Sequence, residues 1–99
     1  MTDALEPEID VVILTWNDGD LLDKAVRSAV RSEGVRTKVV VVDNGSDPPA
    51  TVAASPDVVV VRNEENAGVA RGRNQGAALG SADLLCFLDS DAELAPHSL

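Results

Sequence analysis

The sequence predicts an α/β fold: a parallel sheet of about four strands with helices on both faces. Three observations carry this prediction. Short apolar or β-branched runs at residues 9–15, 38–42, 57–62 and 84–91 are separated by longer stretches at residues 21–30 and 69–79. Near-continuous apolarity in such short runs is what strands covered on both faces require. Trp16 and Phe87 are the only aromatic residues, so the core must be built from Val, Leu, Ile and Ala, the composition of a parallel sheet covered by small-residue helices.

Residues 9–15, Ile-Asp-Val-Val-Ile-Leu-Thr, read as the first strand. The polar turn Trp16-Asn17-Asp18-Gly19-Asp20 offers several helix N-caps, and Leu21, Leu22, Ala25, Val26, Ala29 and Val30 then recur at helical spacing. On the other face Lys24 and Arg27 follow Asp20 and Asp23 by four residues, a pairing that supports a helix, and Gly34 is the expected stop. The second strand ends in another acidic turn, Asp43-Asn44-Gly45-Ser46-Asp47-Pro48-Pro49, whose prolines bar immediate continuation as helix or central strand. A short helical turn is expected within residues 50–56, ahead of the third strand.

Asn63-Glu64-Glu65-Asn66-Ala67-Gly68 leads into a helix over residues 69–79, ended by Gly80. Gly72 and Gly76 lie inside it, each costing about 1 kcal/mol relative to alanine, so something must compensate. Spaced four apart, they form a smooth face on which the helix backbone can press against the sheet or a ligand. Asp83 begins the fourth strand, and Ala95-Pro96-His97 reads as the entry to a further helix.

Ninety-nine residues with 44% hydrophobic content suit one small domain. Seventeen acidic against eight basic side chains give a net charge of −9, which with no basic stripe argues against nucleic acid as a partner. A small phosphorylated ligand would need a metal or backbone N–H groups to offset that field. Cys86 sits inside an apolar run, where the simplest role is a core residue in a reducing compartment, the cytoplasm. Residues 1–8 are acidic with no apolar leader, and the longest apolar runs are too short to span a bilayer. Attachment at the inner face of a membrane through other sequence stays open.

The fourth run, Leu84-Leu85-Cys86-Phe87-Leu88-Asp89-Ser90-Asp91, breaks from five apolar residues into two carboxylates separated by a serine. In an extended chain, side chains at i and i+2 share a face, so Asp89 and Asp91 would enter one space with Ser90 turned away. Two readings stand on this segment alone: an ordinary polar turn, or a carboxylate pair that takes a divalent metal between its charges. The strand order bears on the choice. In a 3-2-1-4 sheet the first and fourth strands are neighbours at the switch point, where such sheets bind ligands beyond their carboxyl ends. Thr15, Trp16 and Asn17 then lie beside Asp89 and Asp91, with Asp43 one strand further along.

Thr15-Trp16-Asn17, Val41-Val42-Asp43-Asn44-Gly45-Ser46, Asn66-x-Gly68 followed by Arg73-Asn74-x-Gly76, and Phe87-Leu88-Asp89-Ser90-Asp91 together resemble the N-terminal half of the family 2 glycosyltransferases. The resemblance implies the GT-A fold, a Rossmann-like three-layer sandwich with its parallel strands in the order 3-2-1-4, and an enzyme that moves a sugar from a nucleotide diphosphate donor to an acceptor hydroxyl with inversion. UDP- or dTDP-sugar is the implied donor, and a saccharide, lipid or other hydroxyl compound the acceptor. Asp91 would ligate Mg²⁺ or Mn²⁺ directly, and Asp89 would lie by the donor ribose and reach the metal. Thr15 and Asn17 would line the base and ribose site, and Asp43 would accept from the imide N–H of uracil or thymine. Gly68 would also contact the donor. Arg73 is either a partner for phosphate or a solvated helix residue. Asn74 is read as structural, Trp16 as core or rim, and His97 has no assigned role.

In this family the catalytic base is a carboxylate of the C-terminal, acceptor-binding half, so it is expected beyond residue 99. Residues 1–99 are accordingly read as a single truncated nucleotide-sugar-binding domain that does not transfer sugar unaided, with exposed apolar surface and a sheet edge that favour a homo-oligomer. Three alternatives compete. Haloacid dehalogenase-like phosphatases also carry Asp-x-Asp at a strand tip, but there it opens the domain and a hydroxyl residue follows, whereas Ala92-Glu93 follows here. A receiver-like domain needs an acidic pair after the first strand and an Asp after the third, which here ends in Arg62-Asn63. The third is a non-catalytic nucleotide-binding module.

Overall fold

In the computed structural model, which describes residues 6–99, the elements are β1 (Glu8–Thr15), α1 (Asp20–Val30), β2 (Arg36–Asp43), β3 (Val58–Arg62), α2 (Val69–Ala78) and β4 (Leu84–Asp89). Residues 1–5 of the acidic opening segment lie outside the described residues. The strands form one sheet, parallel throughout as the apolar runs and crossover rules predict, in the order β3-β2-β1-β4 that the family resemblance implies.

Strand periodicity assigns the core. Val11, Ile13, Val39 and Val41 alternate onto one face and pack with Leu22, Ala25, Val26 and Ala29 of α1. Val12, Val40 and Val42 point to the other face, under α2. A Cβ at Gly72 would overlap Leu14, and one at Gly76 would overlap Val12, so the two glycines press α2 onto β1 and β2. The sheet, not a ligand, supplies the compensation that the sequence called for. The edge strands are covered less: Leu84, Leu85 and Phe87 of β4 and Val59 and Val60 of β3 are exposed.

Several local expectations change. Residues 50–56 form no helical turn. Ala50 is tied by its N–H to Asp43 Oδ2, and both Ala50 and Val52 pack against the α1 side of the core, which holds the segment out of a helix. Helix α1 ends at Val30, where Arg31 and Ser32 donate back to Arg27 and Ala29, so Gly34 (φ +78°) serves the turn into β2 and not the helix cap. Asp23 and Arg27 pair at 3.0 Å, while Lys24 forms no ion pair with Asp20 among the described residues. Residues 95–98 make a single turn, closed by Ser98 N–H to Ala95 O, in place of a further helix. Among the described residues no helix is long and apolar enough to cross a membrane.

Candidate active site at the strand tips

The ladder registers bring the predicted tips level. Thr15 pairs with Asp43, and Leu14 with Asp89, so three strands release their polar loops at one edge of the sheet. Beyond β1 the chain turns sharply through Asn17 (φ +55°) and Gly19 (φ +59°). Asn17 is one of the few side-chain-bearing residue types that visit this region readily. Its N–H donates to Ser46 Oγ at 2.9 Å, and its Oδ1 accepts from Asp47 N–H at 2.9 Å, which stitches the β1 loop to the β2 loop. The two loops wall a cleft of about 880 Å³ that Thr15, Asn17, Asp18, Ser46 and Pro48 help to line. Trp16, read from the sequence as core or rim, is 53% exposed.

Asp43, 1% exposed, organises the β2 loop from within. Oδ1 accepts from Ser46 N–H at 2.9 Å, and Oδ2 accepts from Ala50 N–H at 2.9 Å and Arg62 Nη1 at 2.7 Å. Burial pushes this carboxyl's pKa up, but the hydrogen bonds from Ser46, Ala50 and Arg62 outweigh it and hold the group below its ordinary value. Ser46 bonds this carboxyl through its side chain as well, so four bonds fill the roughly four acceptor positions of an ionised carboxylate. Arg62 also donates to Ser46 O at 3.1 Å. Nothing in the sequence pairs this β3 residue with Asp43 except their register at the strand ends.

The start of α2 is fixed by a network of amides. Asn44 Nδ2 donates to Asn66 Oδ1 and to Gly68 O, while Asn44 Oδ1 accepts from Asn63 Nδ2 and Ala67 N–H. Asn63 and Gln75 exchange two further bonds at 2.7 and 2.9 Å. Gly68, at φ +89° with open space where a Cβ would stand, donates its N–H to Asn66 Oδ1 and precedes the first turn of α2. Asn74, expected to satisfy backbone near the sheet, is exposed and makes no side-chain hydrogen bond to another described residue. Gln75, one position on, points inward and does that work on the Asn63 side chain.

A second pocket, about 240 Å³, opens beside β4 and is lined by Asp18, Arg73, Asp89, Ser90 and Asp91, with Leu14 at its floor. Arg73 reaches across from α2, its Nη2 lying 3.8 Å from Asp89 Oδ1 and its guanidinium 5.6 Å from the centre of the Phe87 ring. Arg73 and Asp89 are both substantially exposed, so this pair contributes little to stability. Its effect is to place a cation and two carboxylates around one space. Ser90 is not turned away as strand alternation predicts. β4 stops at Asp89, and Ala92 N–H closes a turn onto Asp89 O at 3.0 Å, so the i, i+2 rule no longer applies.

Asp18, which sequence reasoning passed over, lines both pockets. Its Oδ2 accepts from Thr15 Oγ1 at 2.6 Å, Ser90 Oγ at 2.5 Å and Trp16 N–H at 3.1 Å. Burial raises the pKa of this carboxyl, and the bonds from Ser90, Thr15 and Trp16 bring it below the ordinary value. The available signal was only an acidic residue three positions past a strand-end threonine.

No three His, Cys, Asp or Glu side chains among the described residues are grouped closely enough to cage a metal ion. The Asp89 and Asp91 carboxylates nonetheless suit a hard divalent cation. Mg²⁺ in particular is commonly held by one or two carboxylates together with substrate phosphates and water, not by an all-protein cage.

Comparison with known proteins agrees with this geometry. The chain is 36% identical over 97 residues to the succinoglycan biosynthesis protein ExoO of Rhizobium meliloti (strain 1021), covering 94% of this chain and 28% of that protein. It is 37% identical over 105 residues to ExoU of the same organism, covering 100% of this chain and 30% of that protein. The chain thus spans roughly a third or less of the length of these relatives. The crystal structure of S. aureus TarS 1-349 superposes with a TM-score of 0.73 at 19% identity over 90% of this chain and 29% of that one, a likeness of fold, the GT-A fold. With the Glycosyl transferase family 2 model matched over residues 10–99, this chain belongs to glycosyl transferase family 2.

Proposed function

We propose that the chain forms the donor-binding part of an inverting glycosyltransferase that takes a UDP- or dTDP-sugar with the help of Mg²⁺ or Mn²⁺. The observation that carries this reading is the pair of adjoining pockets at one sheet edge, a cleft walled by Thr15 and Asn17 and a smaller space bearing Asp89, Asp91 and Arg73. Base and ribose fit the cleft, with Thr15 and Asn17 on its wall and Asp43 bracing from within the β2 loop that forms its other side. The diphosphate falls towards Arg73 and the backbone at Gly68. Asp91 and Asp89 hold the cation, which when bound acts as a Lewis acid that offsets charge on the departing diphosphate. Arg73 adds positive charge on the opposite side of the same space.

The acceptor is a hydroxyl compound, and relatives named for succinoglycan biosynthesis support a saccharide. No residue of this chain is assigned as the base that deprotonates it. The phosphatase and receiver-like alternatives fall with the family assignment. Isothermal calorimetry of UDP and dTDP with and without Mn²⁺ tests the proposal. The wild-type chain should bind either nucleotide at least tenfold more tightly with the metal, a difference of about 1.4 kcal/mol, and Asp91→Asn should abolish that difference. Metal-independent binding, or an unchanged metal effect in Asp91→Asn, refutes it.

A further inference from the structure

Asp18 stands in the wall shared by the two pockets, and one of its three bonds leaves its own loop. The partner is Ser90, 72 residues away, whose Oγ donates to Asp18 Oδ2 at 2.5 Å. The β1–β4 ladder ends at Leu14 and Asp89. Past that register the backbone groups of the two tips bond elsewhere: Thr15 O accepts from Asn44 N–H, and Asp89 O from Ala92 N–H. The bond from Ser90 to Asp18 therefore extends the attachment of β4 to β1 beyond the last ladder pair, at the point where Asp89 and Asp91 leave the sheet.

We propose that Asp18 is a positioning residue, which through Ser90 fixes the β4 tip, and with it Asp89 and Asp91, relative to the cleft lined by Thr15 and Asn17. The inference rests on the nucleotide-donor reading above, since it takes a nucleoside diphosphate to occupy both pockets at once. A ligand that bridges two subsites draws full affinity from the second only if their spacing is already set. Where the second subsite is loose, the cost of ordering it is subtracted on binding. A short bond to an ionised acceptor is among the stronger side-chain hydrogen bonds, and it acts here by holding the two pockets at a fixed spacing.

The test is calorimetry of uridine and of UDP, each in Mn²⁺, with the wild-type chain and with Ser90→Ala, Ser90→Thr, Asp18→Ala and the double alanine variant. The readout is the ratio of the two dissociation constants, which measures what the diphosphate adds. Ser90→Ala should cut that ratio about tenfold, the usual scale for one charge-assisted hydrogen bond, while leaving uridine affinity unchanged. Ser90→Thr, which keeps the hydroxyl, should restore most of it, and the double variant should lose no more than Asp18→Ala alone. A merely loop-stabilising role would weaken uridine and UDP alike. An unchanged ratio in Ser90→Ala, or losses that multiply in the double variant, overturns the proposal. If the wild-type chain gains nothing from the diphosphate, the nucleotide reading itself has failed, and amide exchange then judges the latch separately. Ser90→Ala should speed exchange at Trp16 and Ala92, and unchanged exchange there shows that no latch exists.

Discussion

Replacing Gly76 with alanine measures how closely α2 lies on the sheet. A Cβ at this position would overlap Val12 Cγ1 and come within 3.2 Å of Val42 Cγ2. Both valines are at most 1% exposed on the two central strands, and β-branching makes them stiff at χ1, so neither can swing aside and α2 must lift. Two effects oppose each other. Alanine favours a helix interior over glycine by about 1 kcal/mol, whereas overpacking a dense core costs about 1–3 kcal/mol. Because the obstructing atoms are rigid, the upper part of that range applies, leaving a net loss of about 1–2 kcal/mol. For a domain of this size that lowers Tm by roughly 5–15 °C.

Gly72→Ala is the internal control. Its obstruction is Leu14 Cδ1, the far end of a flexible, half-buried side chain that can rotate away, so the helix gain nearly cancels the contact and Tm should move by less than about 3 °C. Circular dichroism melts and urea titrations of both variants give the comparison. A Gly76→Ala chain as stable as wild type, or a Gly72→Ala chain less stable than Gly76→Ala, refutes the reasoning.

Two further outcomes follow from the buried polar groups. Asp43 has a folded pKa below its ordinary value, so its stabilisation is fully present above the unfolded carboxylate pKa, about 3.9, and is lost as pH falls through the folded value. In urea titrations the stability gap between wild type and Asp43→Asn should therefore be widest near neutrality and shrink as pH falls below about 4; an equal gap at pH 7 and pH 3 contradicts this. Asn44 uses both its donors and accepts two bonds while nearly fully buried, so Asn44→Ala should cost about 2–4 kcal/mol by removing four hydrogen bonds and leaving Ala67 N–H without its partner. A loss under about 1 kcal/mol would mean that water replaces the amide.

Much of the fold can be read in the sequence because the signals are local and repeated. A run such as Val39-Val40-Val41-Val42 has few fates other than a strand buried on both faces, and Gly72 with Gly76 marks a helix that must sit close to something. The expected helices near residues 50–56 and 95–97 failed for the complementary reason. Segments so short have no periodicity to outweigh a single tertiary tie, such as the Ala50 N–H bond to Asp43.

The candidate site divides in the same way. That Thr15, Asp43 and Asp89 arrive at one edge follows from a parallel sheet with β1 at its centre, which the apolar runs and the family motifs together imply. The direction each loop side chain takes does not follow from it. Asp43 turned inward to bind its own loop and Arg62, Gln75 took the place expected of Asn74, and Ser90 reached back to an aspartate 72 residues earlier. Periodicity and motifs along the chain therefore determined the layers and the edge at which the site lies. Only the tertiary structure decided which polar groups meet there, because hydrogen-bond partners are chosen by distance and angle across loops, and no repeat in the sequence encodes either.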